Sequence, residues 1–193
     1  MEMTSAARSA ATRAGRLIRR HRVISAVTAV FAAIVIAVSL ATTGTTARGS
    51  QQPVSHPAAP GFTLPALGQA GRQVSLSQYR GQALVINFWA SWCEPCQQET
   101  PLLASWYKQQ QGQVVLLGLD ENDSAAAALT FARAKGVTYP IGFDPKVTVA
   151  LSYGVDGLPQ TFFLNARHQI VDHVLGAMTK DALAKGLRLM KPA

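Results

Sequence analysis

The chain has 193 residues, enough for one domain and an appendage, with a formal net charge of +8. The charge is uneven: residues 1–22 carry six arginines against Glu2, whereas from Gly49 onward 11 basic residues face 9 acidic ones, a net of only +2. A body so close to neutral excludes a nucleic-acid-binding domain.

The arginine-rich stretch 1–22 predicts a basic cytoplasmic tail. Val23 to Ala41 follows, 19 residues without a charge. As a helix it would be ~28 Å long at 1.5 Å per residue, close to the roughly 30 Å of a bilayer's hydrocarbon core. Arginines before it and few after it place the N-terminus in the cytoplasm and the rest outside. The run predicts a single-pass transmembrane anchor over 23–41, or an uncleaved signal. Its rival is a cleaved signal peptide, because Ser39-Leu40-Ala41 puts small residues where cleavage needs them; the protein would then be secreted. Arg19-Arg20 matches a twin-arginine signal only faintly, since the following residues fit poorly. No cysteine follows the run directly, which excludes a lipid-modified N-terminal cysteine. Residues 42–60, rich in Thr, Gly, Gln, Pro and Ala, predict a flexible linker, and 61–193 the extracytoplasmic domain.

Within that domain, Phe62–Leu64 and Val74–Leu76 predict short strands around a Gly-rich turn. Ala83–Trp89 is a nearly continuous apolar run, the pattern of a central strand buried on both faces. A helix is predicted from Cys93 to about Gln111, bent at Pro101. Val114–Leu119 predicts a second buried strand. Ser124 predicts an N-cap for a helix from Ala125 to Lys135, ended by Gly136. Val137–Tyr139 predicts a short strand and Lys146–Tyr153 a helix. Thr161–Leu164 and Gln169–Val174 predict a hairpin around Asn165-Ala166-Arg167, and Thr179 caps a last helix to about Met190. Strands and helices in this order predict an α/β domain, a mixed central sheet flanked by helices.

The only two cysteines stand in Trp92-Cys93-Glu94-Pro95-Cys96, between the central strand and the first helix. A thiolate is the nucleophile in thiol–disulfide exchange, and the unpaired N–H groups of a helix start stabilise it. Cys93 sits at that start. Cys96 is one turn further on, placed to resolve a mixed disulfide formed at Cys93. Pro95 falls in the first turn, where a missing N–H costs little. Three other readings stand beside this one. The pair could be half a zinc site, but the other ligands would be His168 and His173, whose odd offset on a strand puts them on opposite faces. A purely structural disulfide would close a very short loop and constrain the unfolded chain little. Two inert buried thiols do not suit a strand–turn–helix junction.

On these elements the chain resembles the thioredoxin superfamily, and within it the membrane-anchored TlpA/ResA/DsbE-like thiol–disulfide oxidoreductases. The resemblance covers about residues 61–190. It rests on Asn87-Phe88-Trp89-Ala90-Ser91-Trp92-Cys93-Glu94-Pro95-Cys96 with Glu99 and Pro101, and on Gly157-Leu158-Pro159-Gln160-Thr161-Phe162. It implies a thioredoxin-like fold with an extra N-terminal hairpin and a strand–helix insertion between Asp120 and Asp144. It implies a cis Pro159 facing the cysteines and docking a partner's extended chain, with Trp92, Glu94, Pro95 and Leu158 around it. Asn87 departs from cytosolic thioredoxins, which carry a buried aspartate there. Glu99, on the helical face of Cys96, is the acid this branch has instead, suited to exchanging a proton with the resolving thiol. Glu94, between the cysteines, is expected to face water.

The expected activity is dithiol–disulfide exchange through Cys93 and Cys96, with Glu99 assisting and with no cofactor and no metal. The resemblance implies a reductant of partner disulfides such as those of apocytochrome c during cytochrome c maturation, recharged by a membrane electron-donor thiol carrier. A general oxidase or isomerase for secreted proteins would use the same residues at a higher potential. A copper-binding chaperone would exploit soft thiolates, but such relatives need a histidine beside the cysteines, and no histidine precedes Pro159 in the domain. A peroxidase reading lacks the Pro-x3-Thr-x2-Cys pattern before Cys93.

Overall fold

The computed structural model describes residues 56–110 and 113–191. The basic tail, the apolar run 23–41 and most of the linker lie outside the described residues. Among the described residues no helix is long and apolar enough to cross a membrane.

The elements, in chain order, are β1 (Thr63–Pro65), β2 (Gln73–Ser75), a 3-10 turn (Leu76–Tyr79), β3 (Leu84–Trp89), α1 (Glu94–Gln109), β4 (Val115–Glu121), α2 (Ala125–Ala134), β5 (Ile141–Asp144), α3 (Thr148–Ser152), β6 (Gln160–Leu164), β7 (Ile170–Leu175) and α4 (Lys180–Leu189). Five strands make one sheet in the order β5-β4-β3-β6-β7. β4 runs parallel to β3 and to β5, while β6 is antiparallel to both β3 and β7. The expected mixed sheet is therefore present, with β3 at its centre. Every residue of β3 is buried, as the unbroken apolar run requires.

Alternation along β3 sends its side chains to two cores. Leu84, Ile86 and Phe88 join Leu117, Leu119, Phe162 and Leu164 under the β1–β2 hairpin and α3, whose Val149 and nearby Tyr153 complete the cluster. Val85 joins Leu116 and Phe163 beneath Leu103 of α1 and Leu183 of α4. Each fully buried side chain of this kind contributes about 1.5–3 kcal/mol. Ser124 and Thr179 cap α2 and α4, their side-chain oxygens each accepting a backbone N–H at 3.2 Å.

Four expectations need correction. Val137–Tyr139 is not a strand. Pro140, with no N–H to give, delays pairing, and β5 begins at Ile141. Tyr139 turns inward instead and meets the Tyr107 ring edge-on at 5.7 Å. The insertion between Asp120 and Asp144 is consequently a helix followed by a strand, α2 then β5, and not a strand followed by a helix. The helix expected over Lys146–Tyr153 is only Thr148–Ser152, because Asp144 caps it by accepting the N–H groups of Thr148, Val149 and Ala150. Paired backbone also begins before residue 61: Ala58 bridges Gln169, with Ala59 N–H donating to the His168 carbonyl at 2.8 Å.

Candidate active site

β3, β4 and β5 all point their carboxyl ends one way, and β6 starts at the same end. The loops that gather there hold the cysteines. Cys93 is the N-cap of α1, in extended backbone conformation, and Cys96 lies in the first turn. The two are joined by a disulfide. Cys93 Sγ also accepts the Cys96 N–H at 3.2 Å, so the cap atom is itself the reactive sulfur. Its position at a helix start is electrostatically favourable for a thiolate once the disulfide opens. Cys96 is fully buried, whereas Cys93 keeps 4 % exposure. That difference makes Cys93 the more accessible residue of the pair.

The loop in front of the disulfide is held from the next strand. Ser91 N–H donates to Asp123 Oδ2 at 2.7 Å, and Trp92 Nε1 donates to the Asn122 carbonyl at 2.9 Å. Asn122 has φ +50°, a left-handed turn that asparagine tolerates better than most residues. The Trp92 ring stays 58 % exposed. Glu94 and Pro95 are exposed at the start of α1. Across the site the Leu158–Pro159 peptide is cis. Pro159 is buried, and half-buried Leu158 packs against the cluster that contains Cys93, Cys96 and Trp89.

One turn beyond Cys96 on α1 lies a buried polar cluster. Glu99, 2 % exposed, accepts from Asn87 Nδ2 at 2.7 Å through Oε1 and from the Met178 N–H through Oε2. Asn87 Nδ2 also donates to Thr161 Oγ1 at 3.0 Å. Burial raises the Glu99 pKa from 4.5 to about 7, and the two donors pull it back only in part. Glu99 is thus not the solvated helix glutamate that spacing alone would allow, and Asn87 and the Met178 N–H together fix its orientation. Burial also raises the Tyr139 hydroxyl, with the Glu99 charge adding to the effect.

The end of β4 adds acids that motif reasoning missed. Asp120 is fully buried, stands opposite Trp89 in the parallel ladder, and finds no donor for either oxygen among the described residues. Burial, the Asp123 carboxylate and Glu121 raise its pKa from 3.8 to about 8. Burial and Asp144 raise Glu121 to about 7. Carboxylates directly following the run Val114–Leu119, at Asp120 and Glu121, were the available signal. The histidines weighed as zinc ligands lie elsewhere. His168 Nε2 meets the Tyr79 carbonyl at 2.9 Å at the opposite end of the sheet, and His173 stacks on Phe162 and meets Gln160.

A disulfide at a helix start, its N-cap residue the more exposed of the two, with a buried carboxylate three residues beyond the second cysteine, can perform disulfide exchange. The comparisons agree. The AhpC/TSA family model matches residues 56–173. The chain is 34% identical over 135 residues to the thiol-disulfide oxidoreductase ResA of Bacillus subtilis (strain 168), covering 69% of this chain and 74% of that one. It is 35% identical over 136 residues to ResA of Geobacillus thermodenitrificans (strain NG80-2), covering 69% and 76%. Among solved structures, a secreted thiol-disulfide isomerase from Corynebacterium glutamicum superposes with a TM-score of 0.62 at 29% identity, covering 68% of this chain and 84% of that one. The MTB DsbF chain superposes with a TM-score of 0.63 at 25% identity, and 71% of this chain matches 100% of it.

Proposed function

From the premise that this chain belongs to the AhpC/TSA family and is a thiol–disulfide oxidoreductase of the ResA and DsbE type, we propose that it works outside the cytoplasm as a membrane-anchored reductant of partner disulfides. The observation that carries the reading is the exposure difference within the pair, 4 % at Cys93 and none at Cys96. In the reduced protein the Cys93 thiolate attacks a partner disulfide. One partner sulfur leaves as a thiol and a mixed disulfide forms. Cys96 then attacks Cys93, releases the second partner thiol and restores the internal disulfide. Two electrons and two protons pass to the partner, and a membrane thiol carrier returns them.

Glu99 supports this cycle as the proton acceptor for Cys96 when it attacks and as the donor when it leaves. A carboxyl with a pKa of about 7 is matched to both tasks near neutral pH. Cis Pro159, Leu158 and exposed Trp92 frame the approach to Cys93 and bind the partner's extended chain. Glu94 and Pro95 border that approach. The uncharged run 23–41 and the arginines before it support an anchor with the domain outside, where disulfides persist. The motif resemblance to the TlpA/ResA/DsbE-like proteins suggests apocytochrome c as the partner class, a cysteine pair that must be reduced before haem attachment.

A Cys96→Ser variant expressed in the native host should accumulate mixed disulfides at Cys93, and mass spectrometry of the adducts names the partners. Loss of the protein, or Cys93→Ser, should deplete cytochrome c. Unchanged cytochrome c would refute that substrate, and a reduction potential near the DsbA value of roughly −120 mV would refute the reducing direction.

A further inference from the structure

The near-neutral domain is strongly polarised along the strands. The disulfide end holds Glu94, Asp123 and Asp156 at its surface and Asp120, Glu121 and Asp144 beneath it, against Lys146 and Lys180. The opposite end holds no acid at all. It is formed by the segments 79–83, 108–110, 133–140, 165–169 and 188–191, since these lead into β3, β4 and β5, turn β6 into β7, and end α4. They carry Arg80, Lys108, Arg133 and Arg167, all exposed, and partly buried Lys135; Arg188 and Lys191, exposed at the end of α4, complete the set. None of them has an acidic partner among the described residues, where the only ion pair is Lys185 with Asp172.

Contacts bring these segments together. His168, next to Arg167, bonds the Tyr79 carbonyl next to Arg80 at 2.9 Å. The Lys108 ammonium would lie 3.4 Å from a Cβ placed on Gly136, beside Lys135. The chain also enters the domain here. Ala58 bridges Gln169, and Ile170 N–H donates to the Pro57 carbonyl at 2.9 Å. The described chain therefore begins at the basic end.

We infer that this basic end is a docking surface for anionic lipid headgroups, which turns the disulfide away from the membrane and towards its partners. The choice of a lipid surface rests on the reading of 23–41 as an anchor. A short tether leaving from the basic end delivers that end to the bilayer, and clusters of four to eight Lys and Arg suit anionic lipid. The surface acids of the disulfide end, Glu94, Asp123 and Asp156, are repelled by the same surface, so both ends favour one orientation. Such attraction is screened over roughly 8 Å at physiological salt, so it holds only while the tether keeps the domain close.

The test uses the domain from His56 onward; the whole MTB DsbF chain matches a stretch of similar size, 71% of this chain. It is sedimented with vesicles of phosphatidylcholine, with and without phosphatidylglycerol. Binding is expected only with phosphatidylglycerol and only at low salt. The triple variant Arg80→Gln, Lys108→Gln, Arg167→Gln should bind about a hundredfold more weakly, near fivefold per charge removed. Its rate of disulfide reduction by dithiothreitol should be unchanged, which also shows it folded. Lys146→Gln with Lys180→Gln at the other end should bind as the wild type does. Equal binding by the triple variant, an equal loss in the Lys146/Lys180 pair, or tighter capture by duplex DNA than by vesicles overturns the inference. An absent anchor would show separately, as full-length chain washed from membranes by alkaline carbonate.

Discussion

Replacing Glu99 by glutamine isolates the proton chemistry behind Cys96. The carboxylate accepts from two donors, Asn87 Nδ2 and the Met178 N–H. Glutamine offers one oxygen and one NH2 group, so one of those donors must face another donor. A buried group left unsatisfied in this way costs about 1–3 kcal/mol. The pH dependence runs the other way. Glu99 has its pKa raised from 4.5 to about 7, so the folded state binds this proton more tightly than the unfolded state does. Its contribution is fully present below pH 4.5 and is lost as pH rises towards 7. At 1.36 kcal/mol per pH unit the ceiling of that loss is about 3 kcal/mol. Denaturant unfolding of the oxidised proteins measures it, since disulfide-bonded cysteines do not titrate. The stability gap between wild type and Glu99→Gln should shrink as pH rises from 4.5 to 7 and then stay level. In kinetics, the wild type should outpace the variant in reduction by a small thiol below about pH 7, where Glu99 can protonate the leaving Cys96. The advantage should reach roughly a hundredfold at most and vanish above that pH. A gap that does not move with pH would show Glu99 to be an ordinary carboxylate and remove it from the mechanism.

Other substitutions probe the surroundings. Asp120→Asn should stabilise the oxidised protein progressively from pH 4 to pH 9, because ionising the buried wild-type carboxyl, with a pKa of about 8, becomes costly over that range; thermal unfolding that tracks the wild type at every pH would refute the burial argument. Gly186→Ala in α4 sets a helix-propensity gain of up to about 1 kcal/mol against a Cβ placed 2.4 Å from the ring of fully buried Phe163. Overpacking costs about 1–3 kcal/mol, so the net result should be a lower midpoint in urea; a higher one would show that the Phe163 ring yields. Trp92→Ala should change stability by less than about 1 kcal/mol, yet raise KM for a protein disulfide while leaving the reaction with dithiothreitol unaltered.

The strands of the sheet were legible because burial on both faces leaves an unbroken apolar run, and Leu84–Trp89 is such a run. The caps were legible because Ser124 and Thr179 act on N–H groups three residues away. The cysteine pair announced its chemistry by spacing and by its place at a helix start. What was not legible depends on contacts between distant segments. The strand expected at Val137 fails because Pro140 has no N–H to give to β4, whose Gly118 lies 22 residues back in the chain. Its first ladder bond accordingly runs from Gly118 N–H to the Pro140 carbonyl at 3.0 Å. The setting of Glu99 required Met178, 79 residues later.

The same limit hid the charge layout. Summed along the sequence, the domain's charges almost cancel, and the sum suggests nothing. Folding sorts them, because in a sheet of this topology each connection's chemistry depends on which end of the strands it serves. β6 lies antiparallel to β3, yet its start joins the disulfide end through Pro159, while the turn that follows it carries Arg167 to the other. Acids that fall at carboxyl ends of β4 and β5 therefore lie at the cysteines' end of the sheet, and bases at the ends of α1, α2 and α4 collect where the chain enters. A negative field at the disulfide end disfavours an additional anion. It should raise the thiol pKa values of the reduced pair relative to a neutral setting, opposing the helix start that stabilises Cys93. The balance is measurable as the alkylation rate of Cys93 against pH. In Glu99→Gln its midpoint should move down, and an upward movement would contradict the electrostatic account of the site.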